Sequence, residues 1–367
     1  MKLLATSDWH FASSYPYSNS PYPLQDMFFR ETYASAKAIV DYAITNKIDT
    51  ILHGGDLFDN EKIESPEYSI ATFLLHKLNQ ANIPTYINLG NHEVDFRKTK
   101  IPSVVQTLCK QYENIHCCSQ ETFVFKCGGI NIMMIPYLSE EEFNPLFEKI
   151  CDTIDQPSIL MIHQNIRGVR LGKTSIKQTS ITSEGILAKS KDKFKVIICG
   201  HLHYSHVMGR IIIPGSICSI DFRDEDDMKS FYELTLDDNY NLVKIKQVHF
   251  TNQIIFKSFD VDNFQEVDNK FKYVIKLRYK PSQMEEYNRI RKQLENIAII
   301  IPDIISEESN LKQDWSKRPI NMSAEDWLRM YLQDKGYCDE QIEHIFRLNK
   351  RMFECDQKIT TIKNGEE

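Results

Sequence analysis

Six short apolar runs recur in the first 200 residues, and five of them are followed within four positions by Asp, Asn or His. The runs are KLLAT (2–6), IDTIL (48–52), IPTYINL (83–89), NIMMIP (131–136), SILMI (158–162) and KVIIC (195–199). Between them lie stretches with helical spacing of apolar residues, such as ETYASAKAIVDYAIT (31–45) and EYSIATFLLHKLNQA (67–81). Short strands alternating with helices predict an α/β layered domain with a largely parallel sheet. In an open sheet of that kind, ligands gather at the carboxyl ends of the strands. The polar residues that stop each run can therefore meet along one edge.

Asp8 and His10 follow the first run, and Asp56 and Asp59 the second. Asn91, His92 and Glu93 follow the third, His163 the fifth, and His201 and His203 the sixth. Taken singly, each has an ordinary explanation as a helix cap, a turn residue or a satisfied core histidine. Taken together at successive strand ends, they indicate a metal centre. Asp8, His10, Asp56, Asn91, His163, His201 and His203 are too many ligands for one ion that keeps a position open for substrate. They suit two ions about 3.5–4 Å apart with one carboxylate between them, an arrangement built for phosphate-ester hydrolysis. Nitrogen and oxygen ligands without thiolate suit Mn²⁺, Fe²⁺ or Zn²⁺, and exclude Cu(I) and iron–sulfur clusters. His206 reads as a surface residue and His53 as a packing residue.

Two turn signals, CGGIN (127–131) and DDNYN (237–241), predict hairpins, the second closing the first domain near residue 250. Residues 251–306 read as a small α+β module: strand KYVIKLRYK, helix PSQMEEYNRIRKQLEN and strand IAIIIPDII. Residues 307–321 have no periodicity and read as a linker, and 322–367 carry two amphipathic helices. Ser323 and Asp326 form a plausible capping box for the first of them. Two such helices cannot bury both apolar stripes completely against each other, so they are expected to dock on another chain rather than pack back on the body.

The motifs SDWH (7–10), GGDLFD (54–59), GNHE (90–93), IHQN (162–165) and GHLH (200–203) resemble, in order and spacing, the signatures of the calcineurin-like metallophosphoesterase superfamily. The resemblance implies a four-layer β-sandwich flanked by helices, two sheets rather than one. It also implies that Asp8, His10, Asp56 and His203 hold the first metal, and that Asp56, Asn91, His163 and His201 hold the second. His92 would then face the leaving group as a catalytic residue, with Asp59 holding its ring in the useful tautomer.

The complete order of catalytic domain, small module, linker and helical pair resembles the SbcD-type nuclease subunits of double-strand-break repair and their phage counterparts. That resemblance implies a Mn²⁺-dependent exonuclease on duplex ends and endonuclease on single strands. It further implies a DNA-contacting capping domain at 251–306, terminal helices that bind an SMC-like ATPase, and a homodimer. Arg97, Lys98 and Lys100 after GNHE, and Arg167, Arg170 and Lys173 after His163, are the candidate DNA contacts. The family often has Leu-Gly where this chain has Phe11-Ala12, followed by the insertion SSYPYSNSPYPL (13–24). A stand-alone phosphodiesterase or phosphatase is the alternative, and would leave the helices without a partner. A non-catalytic scaffold would have no use for His92 beside a full ligand set.

The net charge of −7 excludes a protein coated in positive charge but not a local basic groove. The segment IAIIIPDII (297–305) is too short to span a bilayer, and MKLLATSDWH turns polar too early for a signal peptide. With nine cysteines and no CxxC pair, free thiols in the cytoplasm of a prokaryotic or phage-infected cell are expected.

Overall fold

The apolar runs become the central strands of two mixed six-stranded sheets. The computed structural model describes residues 1–12, 22–94, 101–118, 123–167, 169–171, 174–175, 183–190, 193–225, 227–251, 253–305 and 324–348. In the first sheet the order is β14-β13-β1-β2-β3-β4. Here β1 is Lys2–Thr6, β2 Thr50–His53, β3 Thr85–Ile87, β4 Ile115–Cys117, β13 Ser230–Leu236 and β14 Leu242–His249. The second has the order β11-β12-β10-β7-β6-β5. Its strands are β5 (Phe123–Cys127), β6 (Ile130–Ile135), β7 (Ser158–His163), β10 (Phe194–Gly200), β11 (His206–Met208) and β12 (Ile211–Ile213). A two-residue pair, β8 (Arg170–Leu171) and β9 (Thr174–Ser175), stands apart.

The middle strands of both sheets run parallel, and antiparallel pairs stand at every edge but one, where β4 pairs parallel to β3. Both hairpins turn at the expected signals, β5–β6 through Gly128 and Gly129 at positive φ, and β13–β14 through residues 237–241. The open single sheet suggested by periodicity alone is therefore corrected to two sheets, as the family resemblance implies.

Both faces of the central strands are buried, which is why they read as unbroken apolar runs. In β7, Ile159 and Met161 belong to one core while Leu160 and Ile162 belong to the other. In β10, Val196 and Ile198 alternate in the same way with Ile197 and Cys199. The first core joins the two sheets to α1 (Tyr22–Thr45) and α2 (Ser65–Gln80) through Ile39, Val40, Leu74 and Leu78. The second packs the other side of the second sheet on α4 (Glu140–Thr153) and α5 (Ser183–Ser190), through Phe143, Phe147 and Ile186. A short α3 (Val104–Cys109) is capped by Ser103, which accepts from the Gln106 amide. Among the described residues every cysteine is a free thiol, and no helix is long and apolar enough to cross a membrane.

The chain forms two compact units, Met1–Lys257 with Lys270–Tyr273, and Ser258–Asn269 with Val274–Glu367. The second unit contains most of a three-stranded sheet of β15 (Ile254–Asp260), β16 (Lys272–Tyr279) and β17 (Ala298–Ile304), with α6 (Met284–Gln293). The first of these strands escaped the sequence reading. The two terminal helices are α7 (Ala324–Asp334) and α8 (Asp339–Leu348). Leu332, Ile342 and Phe346 form a small core between them, with Leu328, Tyr331, Tyr337 and Ile345 packed against it. The turn that joins them, Lys335–Tyr337, shares a pocket with Tyr279, Pro281, Met284 and Ile304 of the small module. The helices thus bury part of their apolar surface on each other within their own unit, while Met330 of α7 stays exposed. The linker at 307–321 and Ser323 of the expected capping box lie outside the described residues.

Candidate metal centre

Register brings the ligand loops level. Thr6 of β1 pairs with His53 of β2, and His163 at the end of β7 pairs with Gly200 at the end of β10. Beyond β1 and β2 the loops stay zipped by main-chain hydrogen bonds. Asp8 N donates to Gly55 O at 2.9 Å, His10 N to Asp56 O at 3.1 Å, and Phe11 N to Leu57 O at 3.0 Å. Asp8, His10, Asp56 and His201 all have positive φ, at 51°, 46°, 54° and 84°. Such left-handed backbone is costly for residues with a Cβ and persists where surrounding structure enforces it, commonly at functional sites.

The side chains converge in two groups. Asp8, His10 and His203 offer ligand atoms all within 4.8 Å of one another, as do Asp56, His163 and His201. His10 Nε2 stands 3.1 Å from His203 Nε2, and the two rings meet edge to face. Asn91 Oδ1 lies 2.7 Å from His201 Nδ1 and 3.2 Å from His163 Nε2. Asp56 is common ground: its Oδ2 is 3.2 Å from His163 Nε2 and 3.8 Å from His10 Nε2. All seven ligands expected from the sequence are thus brought together.

Neighbours fix the rings from behind. His163 Nδ1 donates to the Gly54 carbonyl at 3.0 Å, which turns Nε2 towards the centre. Asp8 accepts from the His201 amide, at 3.0 Å to Oδ1. Glu93, to which the sequence assigned no role, clamps the Asp56 loop. Its carboxylate accepts main-chain N–H groups from Gly90 at 2.8 Å, Asp56 at 3.1 Å, Leu57 and Phe58 at 3.1 Å. Gly90 has no alternative, because a Cβ there would stand 1.9 Å from Asp56 Oδ1. Tyr137, also unnoticed, sets its ring beside those of His163 and His201. No local pattern could have flagged either residue, since their partners come from other segments.

Asp59 does two jobs, and one is not the expected one. Its main-chain carbonyl accepts from His92 Nδ1, so the backbone and not the carboxylate holds that ring. The carboxylate instead approaches His10, with Oδ1 3.0 Å from Nδ1 but off the line of a hydrogen bond. His92 keeps its side chain one-third exposed, with its amide donating to Asp56 Oδ1 at 3.1 Å and Nε2 3.9 Å from Asp56 Oδ2.

The electrostatics favour cations here. Burial works against charge on His10 and His163, yet the surrounding carboxylates, Asp59 and Asp56 foremost, raise both to about 9. Burial opposes ionisation of Asp56, and His163 and His10 more than offset it, holding its carboxyl far below the usual range. Burial and the neighbouring imidazoles depress His201 to about 3 and push His203 well down, leaving both neutral as ligands must be. Facing imidazole nitrogens, a shared carboxylate and one amide oxygen form a donor set that fits two divalent ions.

Two histidines fall outside the centre. His53 is buried edge-on to Trp9, its Nδ1 accepting from the Gly55 amide, and burial depresses it to about 3. His206 lies in β11 with Nδ1 beside the Ser205 carbonyl. Of the basic candidates, Arg167 is exposed and Arg170 opens β8, while Arg97, Lys98, Lys100 and Lys173 lie outside the described residues. So does most of the 13–24 insertion.

A family model described as calcineurin-like phosphoesterase matches residues 1–205. The chain is 24% identical over 234 residues to "Exonuclease subunit 1" of Enterobacteria phage T4, covering 63% of this chain and 64% of that one. It is 30% identical over 198 residues to "DNA double-strand break repair protein Mre11" of Sulfurisphaera tokodaii, covering 51% of this chain and 49% of the relative. With the Sulfolobus acidocaldarius protein of the same name it shares 25% identity over 380 residues, 94% of each. The chain therefore spans 64% and 49% of the first two relatives and nearly all of the third. Among solved structures, TT1561 of Thermus thermophilus aligns with a TM-score of 0.43 at 12% identity, covering 68% of this chain and 98% of that one.

Proposed function

The chain belongs to the calcineurin-like phosphoesterase family, and from that premise we propose that it is a two-metal DNA nuclease of recombination and repair. The carrying observation is the meeting of two donor clusters on Asp56 with His92 at their open side. Asp8, His10, Asp56 and His203 hold one ion, and Asp56, Asn91, His163 and His201 the other, with Mn²⁺ the expected metal. When bound, such a pair neutralises phosphate oxygens and generates hydroxide near neutral pH.

The chain's own residues supply the rest. Asp59 O holds the His92 ring through Nδ1–H, so Nε2 faces the centre and, when the ring is doubly protonated, delivers its proton to the leaving oxygen and leaves a neutral imidazole. Glu93 keeps the Asp56 loop rigid, so the shared carboxylate stays in place as the reaction proceeds. Tyr137 walls the side of the centre at His163 and His201.

DNA as substrate is supported by the names of the relatives. Exonuclease action on duplex ends, endonuclease action on single strands and homodimerisation belong to the same reading. Arg97, Lys98, Lys100, Arg167, Arg170 and Lys173 contact the phosphate backbone, the 251–306 module caps the centre, and the helices at 322–367 dock an SMC-like ATPase.

The test is cleavage of end-labelled linear duplex and single-stranded DNA with Mn²⁺, by the wild type and by His92→Ala, with bis-p-nitrophenyl phosphate in parallel. Degradation of DNA that is lost in the variant supports the reading. Hydrolysis of the small ester with both DNAs untouched, even after adding the ATPase partner, overturns it.

A further inference from the structure

Behind the His203 turn lies a charge that the sequence did not announce. Lys229, at the start of β13, is 1% exposed. Its Nζ is 2.7 Å from Asp227 Oδ2 and 3.3 Å from Asp224 Oδ1, and donates to the main-chain carbonyl of His203 at 3.0 Å. A cation taken out of water costs several kcal/mol unless well paired, and buried ion pairs contribute little net stability. Such a group calls for a reason other than stability.

The geometry around it supplies one. The turn from His203 to Ser205 is gripped from several sides. Ser216 N also donates to His203 O, at 3.1 Å, and Asp227 accepts from the Ser205 amide. A Cβ on Gly215 would stand 2.7 Å from His203 O and 3.0 Å from Ser205 N, so the opposite wall closes directly on the turn. Lys229 is itself clasped: its amide donates to Gln253 Oε1 at 2.8 Å, and Gln253 Nε2 donates to Lys229 O at 3.1 Å and Phe250 O at 2.8 Å. Gln253 immediately precedes β15, the strand that leads into the second unit.

We propose that Lys229 is a positioning residue of the metal centre. By holding the His203 carbonyl against Asp224 and Asp227, it aims the His203 imidazole at His10 and so completes the first metal site. Among the described residues, Ser216 is what remains to hold the carbonyl when the lysine is removed, so the ring loses its aim while the strands behind it stay paired. The inference rests on the two-metal reading of the centre. It concerns the ion of the Asp8, His10 and His203 cluster, because His203 is the ligand whose carbonyl the lysine holds.

The experiment is calorimetric titration of Mn²⁺ into the metal-free full chain, for the wild type, Lys229→Met and Asp227→Asn, with circular dichroism to establish folding. The expected result is two sites in the wild type, and in Lys229→Met one unchanged site and one weakened roughly 10- to 100-fold. Hydrolysis of bis-p-nitrophenyl phosphate should then return to near the wild-type kcat once Mn²⁺ saturates the weak site. A folded variant with two unaltered sites overturns the proposal, as does equal weakening of both. If Lys229→Met fails to fold, Asp227→Asn decides: it keeps the lysine, and should show the same one-site loss near the low end of that range. Two unaltered sites there would overturn the proposal equally. A wild type that takes up no Mn²⁺ sinks the two-metal reading itself, a result separable from failure in the variants alone.

Discussion

The main-chain carbonyl of Asp59 accepts from Nδ1 of His92, so the backbone orients this ring and the hydrogen bond survives a change of side chain at 59. The Asp59 carboxylate serves His10 instead.

Asp59→Asn should therefore leave the pH profile of hydrolysis unchanged while raising the Mn²⁺ concentration needed for half-maximal rate, by roughly 10-fold. His92→Ala should instead lower kcat by roughly 10²–10⁴-fold at saturating Mn²⁺. Rate measurements against pH and metal separate the two, and a shifted profile in Asp59→Asn would return the orientation of the ring to the carboxylate.

Glu93 gathers four main-chain N–H groups that would otherwise be buried without acceptors. Each orphaned donor costs roughly 1–3 kcal/mol. Glu93→Ala is expected to lose at least about 3 kcal/mol in urea unfolding, and Glu93→Gln, which keeps one acceptor oxygen, distinctly less. Equal and small losses would mean that water replaces the carboxylate.

A Cβ at Gly90 would overlap Asp56 Oδ1, and Asp56 lies between the two donor clusters, 3.2 Å from His163 Nε2 and 3.8 Å from His10 Nε2. Gly90→Ala should accordingly weaken uptake of both ions while the sheets remain folded. Metal content after dialysis, with circular dichroism alongside, checks it; a full complement of two ions would contradict the shared role of Asp56.

Glu31 in α1 is buried, accepts from the Ile254 amide at 2.6 Å, and is pushed by burial from 4.5 to about 8. As pH rises from 4.5 to 8, the unfolded chain releases this proton before the folded chain does. Stability contributed by the protonated carboxyl is thus full below pH 4.5 and is lost as pH climbs through 8. Glu31→Gln should flatten that decline. Urea midpoints measured at roughly pH 5, 6.5 and 8 span the window. They would run parallel in the two proteins if Glu31 ionised normally.

Chelation should lower the melting temperature, since ions that bind only the folded chain stabilise it by about 2.7 kcal/mol per site at 100 times Kd. Asp56→Asn, which weakens a ligand to both ions, should remove most of the Mn²⁺-dependent rise. An unchanged rise would place the stabilising ion elsewhere.

The sequence by itself determined the central strands of the two sheets and the polar residues that stop them, because both are local signals. An apolar run buried on two faces, such as SILMI, and the polar residue that stops it are legible without knowing what packs where. Hairpin turns at 127–131 and 237–241 were legible for the same reason. Tertiary structure alone decided the partners. Asp59 divided its carboxylate and carbonyl between two histidines only once loops 7–12 and 54–59 had zipped together. Three of the four amides that give Glu93 its role lie more than thirty residues away, and Lys229 takes its own from a carbonyl at His203. The small core that α7 and α8 share depends on how the turn between them folds, because an apolar stripe says that something must be covered, not what covers it. Residue type and spacing specify chemistry along the chain. The direction of a side chain, and the main-chain group it meets, depend on register between segments, where a shift of one residue turns every strand side chain to the opposite face.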